Sequence, residues 1–287
     1  MMPTNGLATN GILLMIAAAF LFSLMGALTK SLGTHLPFME IVFFRGLITL
    51  ICLLPYMCRK HIPLIGPNKF WLFVRSFSGF IALSLAFFVT TKIPLADAAL
   101  LNHTSIIFVA ILSIPFLKER ISRRLGVLIA LSFIGALLVI KPGFHYKPLY
   151  GFMGLISGLF AGIAYVVIKK LHGLESFLTM VFDFSLVTVC GSLIYAVVEP
   201  WQQPNSMDLL NLALLGLSGT GAQLLMTYSY KFAPASVISP FQFSGVLFSA
   251  GWGALFWHEW PDIFSVLGGA IIIACGVGIL RINKRLF

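Results

Sequence analysis

The stretch Pro94–Glu119 reads PLADAALLNHTSIIFVAILSIPFLKE and is about as long as a helix must be to cross a bilayer, roughly 20 apolar residues. A second stretch, Pro234–Glu259, reads PASVISPFQFSGVLFSAGWGALFWHE and follows it at a shift of 140 residues. At this shift the terminal prolines and glutamates coincide, and Asn102 falls on Gln242. The pattern predicts one membrane-spanning segment that occurs twice, each time with a polar amide inside it.

The composition indicates a membrane protein rather than a soluble one. The chain has 287 residues, of which 59% are hydrophobic and 10% are charged, whereas charged residues make up about a quarter of a soluble domain. The formal net charge of +10 could indicate a nucleic-acid partner, but the basic residues lie in short segments between apolar runs. Cytoplasmic loops of membrane proteins show this distribution. We therefore expect a lipid bilayer, and no nucleic acid, around this chain.

Ten apolar runs of membrane-spanning length divide the chain. They cover residues 11–32, 37–58, 69–91, 94–117, 122–141, 148–170, 175–198, 208–231, 234–257 and 261–281. Each run is predicted to be a helix, because an open sheet edge in lipid would leave backbone groups unpaired. The sequence thus predicts an all-α integral membrane protein with ten transmembrane helices.

The positions of the basic residues predict how these helices are oriented. If the N-terminus lies inside, the inner loops hold thirteen Lys and Arg residues, and the outer loops hold four, Lys30, Lys92, Lys141 and Lys147. Positively charged residues are enriched in cytoplasmic loops. Both termini are therefore predicted to be cytoplasmic.

The 140-residue repeat extends beyond the opening stretch, since Gly11 falls on Gly151 and Gly79 falls on Gly219. Each half, residues 1–144 and residues 145–287, contains five predicted spans. Because five is an odd number, the second half enters the membrane in the opposite direction. Such an inverted repeat implies a pseudo-two-fold axis in the membrane plane and a binding site near the midplane between the halves.

Motifs in both halves resemble those of the drug/metabolite transporter superfamily, EamA type. The first half has Phe43-Phe44-Arg45-Gly46 in its second span and FLKERISRRLGVLIALSFIGALL over residues 116–138, and the second half has TYSYKFAPASVIS over residues 227–239. The resemblance covers nearly the whole chain. It implies ten spans, cytoplasmic termini, a central cavity between the halves, and movement of small organic solutes without ATP.

The first half also resembles bacterial members proposed to carry S-adenosylmethionine, in Lys30-Ser31-Leu32-Gly33 and the following Phe43-Phe44-Arg45. This resemblance implies a bacterial inner (plasma) membrane location. Two positions depart from the family pattern. Thr104-Ser105-Ile106 stand where many members have a proline, and Ser185 stands where the first half has Arg45.

Polar side chains inside spans are candidates for a binding site, because each costs free energy in lipid unless it lines a cavity or finds a partner. Asn102 and Gln242 lie about two turns into their spans from opposite sides. The two-fold axis would bring them toward one depth, where we expect either substrate contact or interhelical hydrogen bonds. His103 lies about 100° further around the helix, so we expect it on another face, as a candidate for proton coupling.

Further candidates for substrate contact are amide and aromatic side chains of the kind that line small-molecule pockets, namely Gln223, Tyr228, Trp252 and Tyr165. Tyr165 has a second interpretation as an interfacial anchor. The glycines at positions 151, 154, 158 and 162 predict close helix packing instead.

Two charges, Arg45 and Asp183, are set most deeply in the predicted spans, where a lone charge is costly. Arg45 would bind a substrate carboxylate or phosphate, and Asp183 would carry a coupling proton. The alternative for both is a structural ion pair or a snorkelling side chain. Arg75 is expected to snorkel to the cytoplasm, and Glu119 to end its helix beside water.

These observations predict a secondary transporter that moves a small polar organic metabolite, such as an amino acid or an S-adenosylmethionine-like molecule, by alternating access. Protons or a counter-substrate are candidate coupling partners, and no Walker A pattern is present. A lipid or lipid-linked-sugar flippase is the alternative, which a laterally open groove would favour. No enzyme, metal or cofactor is expected, because Asp262 replaces the second histidine of an H-E-x-x-H motif that would begin at His258.

Overall fold

A computed structural model describes residues 5–93, 95–119, 121–140, 147–198, 200–257 and 263–286. Within these ranges the regular elements are helices, and no β-strand occurs. The α-helices are α1 (Asn5–Leu32), α2 (Phe38–Arg59), α3 (Lys69–Lys92), α4 (Leu95–His103), α5 (Ser105–Leu117), α6 (Arg123–Ile140), α7 (Pro148–Leu171), α8 (Phe177–Tyr195), α9 (Ser206–Ser229), α10 (Ala235–Ile238), α11 (Ser244–Trp257) and α12 (Ile263–Leu286). A 3-10 helix, Ser239–Phe243, connects α10 to α11.

The helices form the ten predicted membrane spans. By length and composition alone, α1, α2, α3, α7, α8 and α9 are long and apolar enough to cross a membrane. Two more spans are α6 and α12, and the remaining two consist of shorter helices, α4 with α5 and α10 with α11. Large apolar side chains such as Phe70, Ile111 and Ile194 are exposed on the outer surface, where lipid would cover them.

The repeated stretch of the sequence forms one span in each half, as predicted, but neither copy is a regular α-helix throughout. The first copy is interrupted at Thr104, whose hydroxyl donates to the Leu101 carbonyl at 2.6 Å. The second copy passes through the 3-10 helix, where Pro240 has no amide hydrogen for an α-helical bond. This helix ends before Ser244, which corresponds to Thr104 at the 140-residue shift. The backbone stays in the right-handed helical region at Thr104 (φ −60°, ψ −21°) and at Ser244 (φ −58°, ψ −25°), so each break is a local irregularity within one span.

The packing of the helices repeats when the two halves are exchanged. The pair α1 and α9 corresponds to α7 and α3, and the pair α5 and α7 corresponds to α11 and α1. The pairs α2 with α8 and α6 with α12 map onto themselves. With five spans in each half, corresponding helices run in opposite directions, so the fold consists of two inverted five-helix repeats. The predicted boundary between residues 144 and 145 lies outside the described residues and stays a prediction.

The glycines of α7 hold the first broken span against this helix. A Cβ atom added at Gly154 would lie 2.6 Å from Leu101, and one added at Gly162 would lie 2.7 Å from Phe108. Any larger residue would therefore push α4 and α5 away. The predicted packing role is confirmed for Gly154, Gly158 and Gly162, and a Cβ atom added at Gly158 would clash with Thr104 at the break.

Helix α9 begins with a capping box. The Asn205 side chain accepts from the Asp208 amide at 2.8 Å, and the Asp208 carboxylate accepts from the Asn205 amide at 3.1 Å. We expect Asn205→Ala to lower the free energy of unfolding by about 1 kcal/mol, because the Asp208 amide loses its acceptor. Asn205→Ser should retain most of the stability. Thermal unfolding in detergent, followed by tryptophan fluorescence, checks this, and equal midpoints for the two variants would contradict it.

Candidate functional site

A cavity of about 160 Å³ lies between the two repeats. Residues of α1, α2, α3, α4 and α5 line it from the first repeat, and residues of α7, α8, α9, the 3-10 helix and α11 line it from the second. Much of the wall is formed by alanine, glycine and phenylalanine. A mostly apolar wall with a few polar groups is typical of small-molecule sites.

Six of the nine residues proposed from the sequence line this cavity: Arg45, Asn102, His103, Tyr165, Gln223 and Gln242. They come from four α-helices and the 3-10 helix, with both repeats represented, so the fold brings together side chains that are far apart in the chain. Their contact with a substrate remains a prediction.

The other three proposed residues lie outside the described cavity wall. Asp183 accepts a hydrogen bond of 2.5 Å from the Ser76 hydroxyl. Trp252 donates from Nε1 to Oγ of Ser23 at 2.9 Å, and Ser23 itself lines the cavity. Tyr228 packs against Phe177, with ring centroids 5.0 Å apart.

The two amides of the repeated stretch lie next to its breaks. Gln242 is buried on the 3-10 helix, and its Nε2 donates to the Tyr230 hydroxyl at 3.3 Å. Asn102 lies in the last turn of α4 beside His103. The expectation that Asn102 and His103 face different surroundings was wrong, since both line the cavity. Helix α4 ends at His103, so both residues are at the break and the cavity reaches both.

Two arginines share one aromatic ring in the cavity. The guanidinium carbon of Arg45 lies 4.7 Å from the centroid of the Phe184 ring, and that of Arg75 lies 4.2 Å from it. Both contacts are cation–π interactions. Arg45 also donates from Nη2 to Oε1 of Gln223 at 3.2 Å, which joins the two repeats.

The position of Arg75 corrects the expectation that its side chain reaches the cytoplasm. Arg75 is 2% exposed and lines the cavity. Asp183 attracts it electrostatically, whereas Arg45 repels it. Sequence reasoning missed Arg75 and Phe184 as cavity residues. The available signal was the match of Phe184 with Phe44, next to Arg45, at the 140-residue shift.

Glu119 connects the two repeats on one side of the cavity. Its carboxylate accepts from the amides of Ala235 at 2.8 Å and Ser236 at 3.1 Å, and from the Ser236 hydroxyl at 2.6 Å. The sequence predicted a helix end beside water for Glu119 and missed these bonds. Hydrogen bonds to a carboxylate are stronger than those between neutral groups, so Glu119 holds the start of α10 firmly.

Lys169 of α7 makes a second connection on the same side. Its Nζ donates to the carbonyls of Tyr230 at 2.8 Å and Ala233 at 2.7 Å, just after the end of α9. Lys169 and Glu119 also attract each other. Together they tie α7 and the chain after α5 to the segment between α9 and α10.

The cavity extends away from this closed side. Its lining residues in α1 lie between positions 19 and 29, and those in α3 lie between positions 75 and 90. In α1 this range runs from the middle of the helix toward its C-terminal end, and in α3 it runs from the second turn almost to the C-terminal end. The cavity therefore reaches the C-terminal ends of both helices. Since consecutive spans alternate in direction, these ends lie on the face of the protein opposite to Glu119.

A comparison with protein families identifies the chain. The sequence pattern of the EamA-like transporter family matches residues 9–141 and again residues 149–281. The chain belongs to the EamA-like transporter family. The two matches correspond to the two inverted repeats, and the EamA-like family is part of the drug/metabolite transporter superfamily. This EamA-like protein is therefore a multi-pass membrane protein of a transporter family.

Curated relatives of this EamA-like protein carry transporter names. The pseudopaline exporter CntI of Pseudomonas aeruginosa is 34% identical over 97% of this chain and 98% of its own. An S-adenosylmethionine uptake transporter of Rickettsia prowazekii is 28% identical over 96% of this chain and 94% of its own. These names support transport of a small metabolite by this chain.

The fold is also similar to that of a solved crystal structure. The match covers 97% of this chain and 99% of that chain, with a TM-score of 0.84 and 16% sequence identity. At this identity the likeness concerns the fold alone.

Proposed function

We propose that this EamA-like protein is a secondary transporter that moves a small polar organic metabolite across the bacterial inner membrane by alternating access. The observation that supports this most is the cavity between the inverted repeats, which adjoins both broken spans and is closed on one side by Glu119 and Lys169. A site between inverted repeats can open to either side when the repeats exchange conformations.

The charge distribution of the loops assigns the two sides in this proposal. The side of Glu119 and Lys169 carries most of the basic loop residues and is the cytoplasmic one, with both termini. The described state is then closed to the cytoplasm, and its cavity extends outward. In the opposite state, the first repeat would take the conformation that the second has now, and Glu259 would take the role of Glu119.

The names of the relatives indicate candidate substrates, but they differ in the direction of transport. One is named an exporter of pseudopaline, and another is named an uptake transporter for S-adenosylmethionine. Amino acids and S-adenosylmethionine-like molecules are therefore the first candidates. Coupling to protons through His103 or Asp183, or exchange against a counter-substrate, belongs to the same proposal.

The shape of the cavity favours this proposal over a lipid or lipid-linked-sugar flippase. A flippase needs a groove that lets a lipid enter sideways between two spans. Ten elements from both repeats line the cavity described above, whereas a lateral groove would lie between two neighbouring spans. Lipid scrambling by the purified protein would favour the flippase.

Flux measurements test the proposal. The purified protein is reconstituted into vesicles and tested with labelled S-adenosylmethionine and a panel of labelled amino acids. Each is tested without a gradient, with a proton gradient, and with the same compound inside for exchange. We expect saturable flux of at least one compound above that of empty vesicles. Flux equal to that of empty vesicles in every arm would overturn the proposal.

Removing either amide at the broken spans should slow this flux. We expect Asn102→Ala and Gln242→Ala to reduce it roughly fivefold to tenfold each, because one good hydrogen bond is worth about 1–1.5 kcal/mol. The matched control is Ile111→Ala, which removes an exposed side chain from the outer surface of α5. Near-wild-type flux in both amide variants, with normal membrane insertion, would remove these residues from the site.

A further inference from the structure

The arginine pair in the cavity carries charge that the cavity wall does not balance. None of the described residues that line the cavity is an aspartate or a glutamate. Arg45 and Arg75 are buried, and their mutual repulsion raises the free energy of the ligand-free state. A cation in apolar surroundings is costly unless it is paired.

Several guanidinium nitrogens of the pair have no hydrogen-bond partner. They are Nε and Nη1 of Arg45, together with Nε and Nη1 of Arg75, and all four are buried within the described part of the chain. A buried donor without an acceptor costs about 1–3 kcal/mol, and more when it is charged. These donors therefore favour an acceptor that enters the cavity from outside.

Two glycines leave the space that the guanidinium groups occupy. A Cβ atom at Gly79 would lie 3.1 Å from Nη1 of Arg75, and one at Gly219 would lie 3.3 Å from Nε of Arg45. Gly79 and Gly219 correspond to each other at the 140-residue shift. The two repeats thus accommodate one arginine each at matching positions, so the pair is a built feature of the cavity.

Asp183 affects the net charge of the arginine pair and therefore the charge of the ligand that would balance it. It attracts Arg75 from behind the cavity wall, where it accepts a hydrogen bond from Ser76. When Asp183 is ionised, one carboxylate against two guanidinium groups leaves one positive charge. A ligand group with a single negative charge would balance it, whereas a doubly charged phosphate would reverse it.

We infer that the cavity binds a carboxylate of its substrate at Arg45 and Arg75, so that the substrate is a small organic acid or an amino-acid-like molecule with a free carboxylate. This inference rests on the proposed function, because it names the substrate class of the transport site. The planar guanidinium group matches a carboxylate with two parallel hydrogen bonds. Phe22 and Phe87 in the wall provide an apolar surface for the rest of the molecule.

The size of the cavity selects the probe. At about 160 Å³ it is similar to engineered protein cavities of roughly 150 Å³ that hold benzene. Benzoate therefore presents a carboxylate on a body of suitable size. Benzamide is its neutral isostere, benzylamine is a cation of similar size, and phenyl phosphate is the corresponding phosphate.

Ligand binding to the purified protein in detergent tests the inference without requiring transport. We expect benzoate to raise the unfolding midpoint in a concentration-dependent manner, because a ligand that binds the native state stabilises it. Benzamide and benzylamine should bind at least roughly tenfold more weakly, since each lacks the negative charge. Equal stabilisation by benzoate and benzamide, or stronger stabilisation by benzylamine or phenyl phosphate, would overturn the inference.

Variants locate the binding group. Arg45→Gln and Arg75→Gln should each weaken benzoate binding roughly tenfold to a hundredfold, whereas Arg59→Gln, which changes an exposed arginine of the same helix α2, should leave it unchanged. Retained benzoate binding in both cavity variants would overturn the inference. If the cavity variants do not fold, the four-probe comparison on the wild-type protein decides.

Failure of the inference is distinguishable from failure of the proposed function. If the vesicles show flux of a compound but the protein does not bind benzoate selectively, the carboxylate assignment is overturned and the transporter proposal stands. If the protein binds benzoate selectively but no compound shows flux, the transporter proposal is overturned and the carboxylate assignment stands.

Discussion

Glu119→Gln is expected to abolish net transport and to open the cytoplasmic side of the cavity. The carboxylate accepts three hydrogen bonds from Ala235 and Ser236 across the repeat boundary, and a glutamine has only one accepting oxygen to offer. Hydrogen bonds to a charged group contribute about 1.5–3 kcal/mol each. A glutamine oxygen in place of Oε2 keeps the two Ser236 bonds only as neutral ones, and the Ala235 amide loses its acceptor. Together these losses would shift the balance between the two states by roughly a hundredfold or more.

Two measurements on this variant separate a shifted equilibrium from a damaged protein. Flux into vesicles should fall to the background of empty vesicles, while binding of cavity ligands in detergent persists. The matched control is Lys118→Gln, which changes the neighbouring exposed residue and should keep wild-type flux. Wild-type flux in Glu119→Gln would show that this connection does not govern closure of the cytoplasmic side.

Gly79→Leu is expected to block the site completely. Even a Cβ atom at this position would lie 2.9 Å from the Phe184 ring, closer than side-chain carbons normally approach, and 3.1 Å from Nη1 of Arg75. The larger leucine would displace the ring on which both arginines rest and fill part of the 160 Å³ cavity. We expect flux and ligand binding to fall at least roughly a hundredfold, corresponding to about 3 kcal/mol of lost binding free energy.

The control for this variant is Gly251→Leu in α11, where an added Cβ atom meets nothing within 4 Å among the described atoms. It introduces the same side chain on the outer surface and should retain flux. Thermal unfolding of both variants shows whether the cavity variant still folds. A folded Gly79→Leu protein with wild-type flux would exclude the arginine pair from the transport path.

The sequence predicted the spans and the inverted repeat because both depend on properties that a chain displays directly. Apolar length specifies a span, and the 140-residue register of residues such as Asn102 and Gln242 specifies the repeat. The breaks in the two repeated spans were not predicted. The first lies where segments distant in sequence meet, since α4 and α5 pack closely on the glycines of α7 near Thr104. Pro240 was a visible local signal for the second.

Of the two arginines in the cavity, only Arg45 was predicted from the sequence, because the direction of the Arg75 side chain depends on contacts with the second repeat. Arg45 lies deep in its span and was recognised as a buried charge. Arg75 begins near the start of α3, within the distance that a long side chain can snorkel. Its actual direction is determined by Phe184 and Asp183 of the second repeat. The position of Arg75 within its predicted span does not show in which direction its side chain points.

One measurement tests most directly whether solutes pass through the cavity at the broken spans. The four native cysteines, Cys52, Cys58, Cys190 and Cys275, are replaced by alanine. Ser105→Cys then places a thiol in the cavity wall next to the break, and Ile111→Cys places one on the lipid-facing surface of the same span. Each is treated with a membrane-impermeant thiol reagent, added to oriented vesicles from one side or from the other. Alternating access predicts that Ser105→Cys reacts from both sides, at different rates, and that Ile111→Cys reacts from neither. Labelling of Ser105→Cys from one side only, with and without a transported compound present, would contradict it.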